Sequence, residues 1–186
     1  MKSDALKWNQ RYATGDYPSN PHQAVTTCSS LASVGRALDI AAGNGRNTHF
    51  LAEKGYAVDA VDISETGLAC IKKDTGTIRI IHADLDRYQI AENQYELIIN
   101  INFLQRRLFP YIVTGLKKNG LLIFQTFMDP RLTGATYDPE KRDQYLMPNE
   151  LLHAFLSLRV LQYEEKELRF TNGEWMMAAL LVARKT

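Results

Sequence analysis

The chain has 186 residues, of which 45% are hydrophobic and 23% are charged, a composition typical of one ordinary globular domain. Its 22 Lys and Arg residues against 21 Asp and Glu residues give a formal net charge of +1. So small a charge provides no overall field that would attract nucleic acid or an anionic membrane. We therefore expect a single domain over residues 1–186 and no dedicated nucleic-acid partner.

The termini and the reactive side chains narrow the class further. Charges at Lys2, Asp4 and Lys7 interrupt the place where a signal peptide would carry its apolar core. No window approaches the roughly 18 apolar residues of a membrane span. The two Cys form no CxxC pair and the four His are scattered without metal-ligand spacing. The sequence thus predicts a cytoplasmic protein with no metal site and no membrane partner.

Short apolar runs alternate with helical patterns from Arg36 onward, which is typical of strand-helix-strand units. The residues before them, about 1–30, hold a possible helix over 4–12 and then Gly15, Pro18 and Pro21, so we expect a cap or lid there. Ser64 is a good N-cap for a helix between the second and third strands. Five parallel strands are predicted, over residues 36–41, 56–62, 77–81, 95–101 and 121–127. A helix with Leu108, Ile112 and Leu116 on one face is expected to end before the fifth strand.

The rhythm changes after the fifth strand. Residues 128–147 are polar and irregular, which predicts a functional loop for the substrate. Residues 148–186 then predict a helix opened by Pro148 and two strands, 159–170 and 175–183, joined by an Asn-Gly hairpin turn over 171–173. The expected fold is α/β and Rossmann-like: an open, mostly parallel seven-stranded sheet with helices on both faces and one antiparallel strand in the C-terminal hairpin.

A glycine turn follows the first strand. Gly43 and Gly45 permit a tight turn and close approach of backbone to a ligand. Asp62 ends the second strand 19 positions after Gly43, where a carboxylate can accept both hydroxyls of a ribose. Thr48 replaces the third glycine of the dinucleotide fingerprint, which argues against NAD. Asp39 would repel a pyrophosphate but suits an ammonium or sulfonium cation.

These residues resemble the class I S-adenosylmethionine-dependent methyltransferases. The segment 38–45, L-D-I-A-A-G-N-G, is similar to the family's first motif, with Ala41 where its first glycine commonly falls. The resemblance implies that residues 36–127 are a cofactor-binding core for S-adenosylmethionine, with S-adenosylhomocysteine as product. It also implies a ribose-binding acid at Asp62, followed by Ile63, and an adenine-contacting pair at Asp84 and Leu85.

More narrowly, segments 8–12, 102–106 and 125–127 resemble small bacterial methyltransferases of the tellurite-resistance type, which act on small molecules or oxyanion species. Gln125 stands where that pattern would have Glu. Within a lid, Arg11 or Tyr12 would reach the carboxylate of the cofactor by a charge-assisted contact.

The predicted chemistry is alignment of nucleophile, methyl group and sulfur, which is the main task of a methyl-transfer site. Asn100, at the end of the fourth strand, is expected beside the methyl group, where it would orient the nucleophile and contact the cofactor. Position alone suggests the substrate contacts: Phe103, Arg106, Thr126, Tyr137 and Tyr145.

The sequence thus predicts a methyltransferase that acts on a small molecule. The alternatives are an RNA or protein methyltransferase and a non-catalytic module that binds S-adenosylmethionine. An NAD(P) oxidoreductase ranks last because Thr48 breaks its glycine pattern.

Overall fold

The computed structural model describes residues 2–15, 17–72, 76–134, 139–169 and 175–186. Its α-helices in chain order are α1 Lys2–Ala13, α2 Gln23–Cys28, α3 Arg46–Glu53, α4 Glu65–Ala69, α5 Phe109–Gly115 and α6 Glu150–Ala154. Its strands are β1 Arg36–Ile40, β2 Ala57–Asp62, β3 Ile78–His82, β4 Tyr95–Ile101, β5 Leu116–Phe127, β6 Arg159–Arg169 and β7 Trp175–Arg184.

The strands form one seven-stranded sheet in the order β3-β2-β1-β4-β5-β7-β6. Strands β1 to β5 are parallel, and β7 runs antiparallel to both β5 and β6. The predicted mostly parallel sheet with one antiparallel strand is thereby confirmed. The order reverses between β1 and β4, and ligands of open parallel sheets bind at such a switch point, beyond the carboxyl ends of the strands.

Helices cover both faces of the sheet because successive strand residues point to opposite sides. On one face, α2 and α3 pack Val25 and Leu51 against strand residues such as Ile99. On the other, α5 and α6 pack Ile112 and Leu151 against the second set of strand side chains. A strand buried on both faces reads as a continuous apolar run, which is why β4 was predicted with its observed bounds.

The beginning of β5 differs from the prediction. The strand begins at Leu116, which was expected on the face of the preceding helix, and α5 ends at Gly115. Leu116 pairs with Tyr95, whereas Leu121 pairs with Leu97, so residues 117–120 form an excursion opposite Glu96. Asn119 in this excursion has a φ of +67°. The Lys-Lys-Asn-Gly run at 117–120 predicted that the helix ends before the fifth strand, which is correct, but the helix ends several residues earlier than this run.

The two segments outside the regular alternation contain helices. The N-terminal helix is longer than predicted, since α1 covers Lys2–Ala13. The irregular segment 128–147 contains two short 3-10 helices, Pro130–Thr133 and Pro139–Gln144. The predicted Asn-Gly turn at 171–173 lies outside the described residues. No helix in the described ranges combines the length and the apolar character needed to cross a membrane.

Candidate cofactor pocket at the carboxyl ends of the strands

Alternate residues of the glycine turn between β1 and α3 adopt left-handed backbone conformations. Ala41, Gly43 and Gly45 have φ values of 56°, 57° and 77°. A Cβ at Gly43 would lie 2.1 Å from the Tyr12 hydroxyl oxygen, so the N-terminal segment approaches the turn closely only because glycine stands there. Ala41 accepts the same strained conformation where the related motif has glycine, at a cost of roughly 1–2 kcal/mol.

Asp62, at the end of β2, ties this turn to the strand beside it. Its Oδ2 accepts a hydrogen bond from the Gly43 backbone N–H at 2.8 Å, and its Oδ1 accepts one from the Ser64 N–H at 2.7 Å. The side chain is buried, and burial raises its pKa above the usual range while these backbone donors oppose the rise. Each carboxylate oxygen keeps a further lone pair for the hydroxyl of a ligand. Asp62 thus stabilises the turn and can also accept hydrogen bonds from a ligand.

Asp39 lies beneath the turn and not on the wall of the pocket. It is 1% exposed, and its Oδ2 accepts a hydrogen bond from the Thr48 hydroxyl at 2.7 Å. Burial raises the pKa of this carboxyl to about 7, and the nearby Asp62 adds to the effect. Two acids that share a low-dielectric site favour the arrival of a positive charge, because a cation stabilises the ionised form of both.

The N-terminal helix α1 covers the turn as a lid. Asn9 accepts hydrogen bonds from the Ser64 hydroxyl at 2.7 Å and from the Thr66 N–H at 3.2 Å, which fixes α1 to the start of α4. The rings of Tyr12 and Tyr17 are 4.6 Å apart, and Trp8 packs beside Tyr12 at 6.2 Å. These contacts place an aromatic roof above the carboxyl ends of β1 and β2.

Arg11 lies on the outer side of that roof. It is exposed, and its guanidinium stacks over the rings of Trp8 and Tyr17 at 5.4 and 5.5 Å. Its predicted contact with a cofactor carboxylate stays a prediction, since Arg11 is absent from the pocket wall in this arrangement.

Between the lid and the strand ends is a pocket with a cavity volume of about 90 Å³ that is partly open to solvent. This volume is below the roughly 300–1,000 Å³ of ligand sites. Six of the residues predicted from the sequence line it: Tyr12, Ala41, Asp62, Ile63, Leu85 and Phe103. The remaining lining residues are Trp8, Tyr17, Ala42, Asn44, Arg46, Asn47, Ile101 and Asn102. Acid, amides, a guanidinium and aromatic rings therefore converge where the switch point predicts a ligand.

Three other predicted residues lie near the pocket without lining it. Asn100 is buried, and its Nδ2 donates to the Phe103 carbonyl oxygen at 2.6 Å. It therefore shapes the loop that follows β4. Asp84 lies after β3, where its Oδ1 accepts from the Asp86 N–H at 2.9 Å. Thr126 is buried near the end of β5. Direct roles of Asn100, Asp84 and Thr126 toward ligands stay predictions.

Arg106 connects the two loops beside the pocket. Its Nε and Nη2 donate to the two carboxylate oxygens of Glu150 at 2.6 and 3.0 Å, and its other bonds go to the backbone carbonyls of Asp143 and Tyr145, both at 2.8 Å. The guanidinium thus holds the segment after β5 against the segment after β4. The predicted substrate contacts of Arg106 and Tyr145 are untested, and Tyr137 lies outside the described residues.

Sequence reasoning missed Arg46, Asn47 and Asn102. Arg46 and Asn47 begin α3 directly after the glycine turn, so a side-chain role at the start of that helix was the available signal. Asn102 has a φ of +58°, which asparagine tolerates better than most residues, and follows β4 as predicted ligand residues do. Each becomes recognisable only once the lid and the strand ends are seen together.

The comparisons with known proteins agree with this geometry. A model of the family described as "Methyltransferase domain" matches residues 37–120. The putative methyltransferase YqeM of Bacillus subtilis is 26% identical over 127 residues, which are 62% of this chain and 51% of that protein. The chain thus spans about half the length of this curated relative.

Solved structures give the same fold. TehB from Haemophilus influenzae superposes with a TM-score of 0.78 at 21% identity, covering 96% of this chain and 67% of that one. An S-adenosylmethionine dependent methyltransferase from Mesorhizobium loti gives 0.70 at 20% identity, covering 87% and 96%. Residues 37–120 therefore match the methyltransferase-domain family, and the chain has the same fold as these solved structures.

Proposed function

We propose that this chain transfers the methyl group of S-adenosylmethionine to a small-molecule acceptor. The observation that carries the proposal is the pocket at the carboxyl ends of the strands, roofed by Trp8, Tyr12 and Tyr17 and open on one side. The bound cofactor would supply a methyl carbon that is already activated by a positive sulfur. The protein then has to bind, align and exclude water, and alignment can contribute up to roughly 7–11 kcal/mol to such a reaction.

The residues of the pocket suit an adenosyl ligand that carries a cation. Asp62 offers carboxylate lone pairs to ribose hydroxyls, and Ile63 and Leu85 offer apolar surface to an adenine ring. Asp39 lies buried beneath the turn, where its ionised form favours a nearby cation. Asn100 holds the Phe103 backbone and so sets the wall on which an acceptor would lie. These contacts support S-adenosylmethionine as the donor.

The lid favours a small acceptor over a macromolecule. Asn9 fixes α1 above the turn through Ser64 and Thr66, so the aromatic roof restricts entry. RNA recognition relies on open basic surfaces with stacking aromatics. Here the aromatic side chains face a narrow pocket, and of its lining residues only Arg46 is basic. A folded protein or a duplex would have to displace the lid before its nucleophile reached the pocket.

Ligand binding is tested first by thermal melting with S-adenosylmethionine, S-adenosylhomocysteine, NAD and NADP. Saturation at about 100 times the dissociation constant adds about 2.7 kcal/mol, which moves the midpoint of a domain this size by roughly 5–10 °C. We expect a shift with the two adenosyl sulfur compounds alone. A shift with NAD alone, or with none of the four, would refute the proposal.

Acceptor class is tested by incubating the protein with methyl-labelled S-adenosylmethionine and a panel of thiols, selenite, tellurite, small carboxylates, RNA and protein. Label is then separated by molecular size and by volatility. We expect label in small or volatile products. Label in RNA or in protein would replace the small acceptor with a macromolecule, and binding without transfer to any acceptor would favour a non-catalytic module.

A further inference from the structure

Arg106 and Arg107 are consecutive residues whose side chains hold two different loops beside the pocket. They begin the short 3-10 helix Arg106–Leu108, directly after the loop at the end of β4 that lines the pocket. Arg106 bonds to residues of the segment 143–150, whereas Arg107 bonds to residues of the segment 85–88. Two neighbouring guanidinium groups therefore join the end of the irregular segment after β5 to the connection between β3 and β4.

Arg107 holds the connection that carries an apolar wall of the pocket. Its Nη2 donates to the Leu85 carbonyl oxygen at 2.9 Å and to the Tyr88 carbonyl oxygen at 2.7 Å. Leu85 is buried and lines the pocket, where it offers apolar surface to an adenine ring. Because one nitrogen binds both carbonyl groups, a shift of the Leu85 backbone also shifts the guanidinium.

The guanidinium of Arg107 is not fully satisfied in this arrangement. Its Nε is the one fully buried side-chain nitrogen or oxygen without a hydrogen-bond partner in the described part of the chain. The group also lies over the Tyr111 ring, 5.5 Å from its centroid. An unpaired buried donor costs free energy, and a small shift that gives it a partner removes that cost. The position of Arg107 is therefore one that can change when a ligand fills the pocket.

Arg106 holds the other loop through three separate groups. It forms two bonds to the Glu150 carboxylate, and it donates to the carbonyl oxygens of Asp143 and Tyr145. Burial opposes the ionisation of Glu150, but the bond to Arg106 holds the pKa of that carboxyl below its usual value. The same carboxylate accepts from the Met147 N–H at 2.8 Å. The end of this loop is thus fixed to Arg106 by charge-assisted bonds.

The loop held by Arg106 is closed at its base next to β5. The Asp129 N–H donates to the Leu146 carbonyl oxygen, and the Leu146 N–H donates to the Phe127 carbonyl oxygen, both at 3.0 Å. Leu146 is fully buried there. The loop is therefore fixed to the sheet at its base, and Arg106 fixes its end relative to the segment that follows β4.

We propose that Arg106 and Arg107 act as a pair of positioning residues between the cofactor and the acceptor. An adenosyl ligand bound against Leu85 restrains residues 142–150 through this pair, and so prepares that side of the pocket for the acceptor. The proposal rests on the function proposed above, because it needs the adenosyl ligand in the pocket. Neither guanidinium lines the pocket, so each acts through the backbone that it holds. A ligand that restrains one loop lowers the entropy cost of restraining the other.

Hydrogen exchange, measured by mass spectrometry of peptic fragments, tests this link with S-adenosylhomocysteine as the probe. In the wild-type protein, saturating ligand should slow exchange at least about three-fold at residues 85–88 and also at residues 142–150. Arg107→Gln should abolish the slowing at 142–150, although the carbonyl groups that Arg107 binds belong to Leu85 and Tyr88. An arginine with a merely structural role would change exchange equally with and without ligand, so the ligand effect is the quantity compared.

Arg106→Gln removes the other half of the link. It should change the affinity for S-adenosylhomocysteine by less than about three-fold, because its partners lie on the acceptor side. The slowing at 85–88 should remain and the slowing at 142–150 should disappear. Arg107→Lys is a milder second variant should Arg107→Gln fold poorly, and it should also reduce the ligand effect at 142–150.

Arg87→Gln is the matched control, because it removes the same charge from an exposed arginine that lies between Leu85 and Tyr88 in the chain. It should keep the full ligand effect at 142–150. The positioning pair is refuted if wild-type protein binds S-adenosylhomocysteine without slower exchange at 142–150. It is also refuted if the effect keeps its wild-type size in Arg106→Gln or in Arg107→Gln. Failure of the wild-type protein to bind S-adenosylhomocysteine at all would instead refute the proposed function.

Discussion

Asp62→Ala tests whether the ligand-binding turn is built by the protein alone. In the wild-type chain the Asp62 carboxylate accepts from two backbone N–H groups, those of Gly43 and Ser64, and it is 6% exposed. Alanine leaves both donors buried without a partner, at about 1–3 kcal/mol for each. The expected loss is therefore about 2–6 kcal/mol of unfolding free energy, a large part of the 5–15 kcal/mol typical of a domain.

Urea unfolding of the ligand-free protein, followed by circular dichroism, measures this loss. Asp86→Ala is the control, because Asp86 is an exposed acid of the same edge of the sheet, and it should change stability by about 0.5 kcal/mol or less. If Asp62→Ala unfolds within about 1 kcal/mol of the wild type, the reasoning about buried donors is refuted. The affinity for S-adenosylhomocysteine is then measured at urea concentrations at which both proteins are folded. The loss of the ribose contacts should reduce the binding free energy of Asp62→Ala by roughly 1.5–3 kcal/mol.

Two further perturbations follow from the same turn. Burial raises the pKa of Asp39 to about 7 against roughly 3.9 in an unfolded chain, so its stabilising effect is complete below about pH 4 and is lost as the pH rises through 7. Asp39→Asn should reduce the dependence of the unfolding free energy on pH between pH 5 and 8. Urea unfolding at pH values about one unit apart measures this dependence. A slope equal to that of the wild type would contradict the prediction. Gly43→Ala should destabilise more than Gly134→Ala, because both have a positive φ but only at Gly43 does a Cβ meet the Tyr12 hydroxyl, at 2.1 Å. Equal losses in thermal melts, with no change in Trp fluorescence from the lid, would show that Tyr12 yields without cost.

Much of the fold was predictable because its signals are local. The alternation of apolar runs and helices predicted the five parallel strands. Ser64 caps α4 as predicted, with its hydroxyl accepting from the Gly67 N–H at 3.0 Å. Asp62 was predicted at the pocket because strand ends of a parallel sheet meet at one edge, and Ile63 because of the family resemblance; both line the pocket. Such features depend on a few neighbouring residues, so one sequence suffices to find them.

The features that escaped prediction depend on contacts between distant segments. The Arg106 guanidinium appeared as a substrate ligand by position, but its pairing with Glu150, 44 residues later, is a tertiary contact with no local pattern. The side chain of Asn47 accepts a hydrogen bond from the backbone N–H of His22, which lies 25 residues earlier in the chain. The start of β5 depends on pairing with Tyr95 and not on helix propensity at Leu116. In each case tertiary contact decides what the side chain does.

The charges of the pocket give the lid and the buried acid Asp39 a common role in ligand binding. Burial, with a smaller contribution from Asp62, raises the pKa of the Asp39 carboxyl, so the ionised form of Asp39 costs stability at neutral pH until a cation arrives. Arg46 adds a positive charge to the lining of the pocket. A ligand that carries both a cation and an anion would interact favourably with the acids and with Arg46 at once, whereas an uncharged nucleoside would do neither. Since the turn is already held by Asp62 and covered by Tyr12, little ordering is left for the ligand to induce, and the binding energy can go into selection by charge.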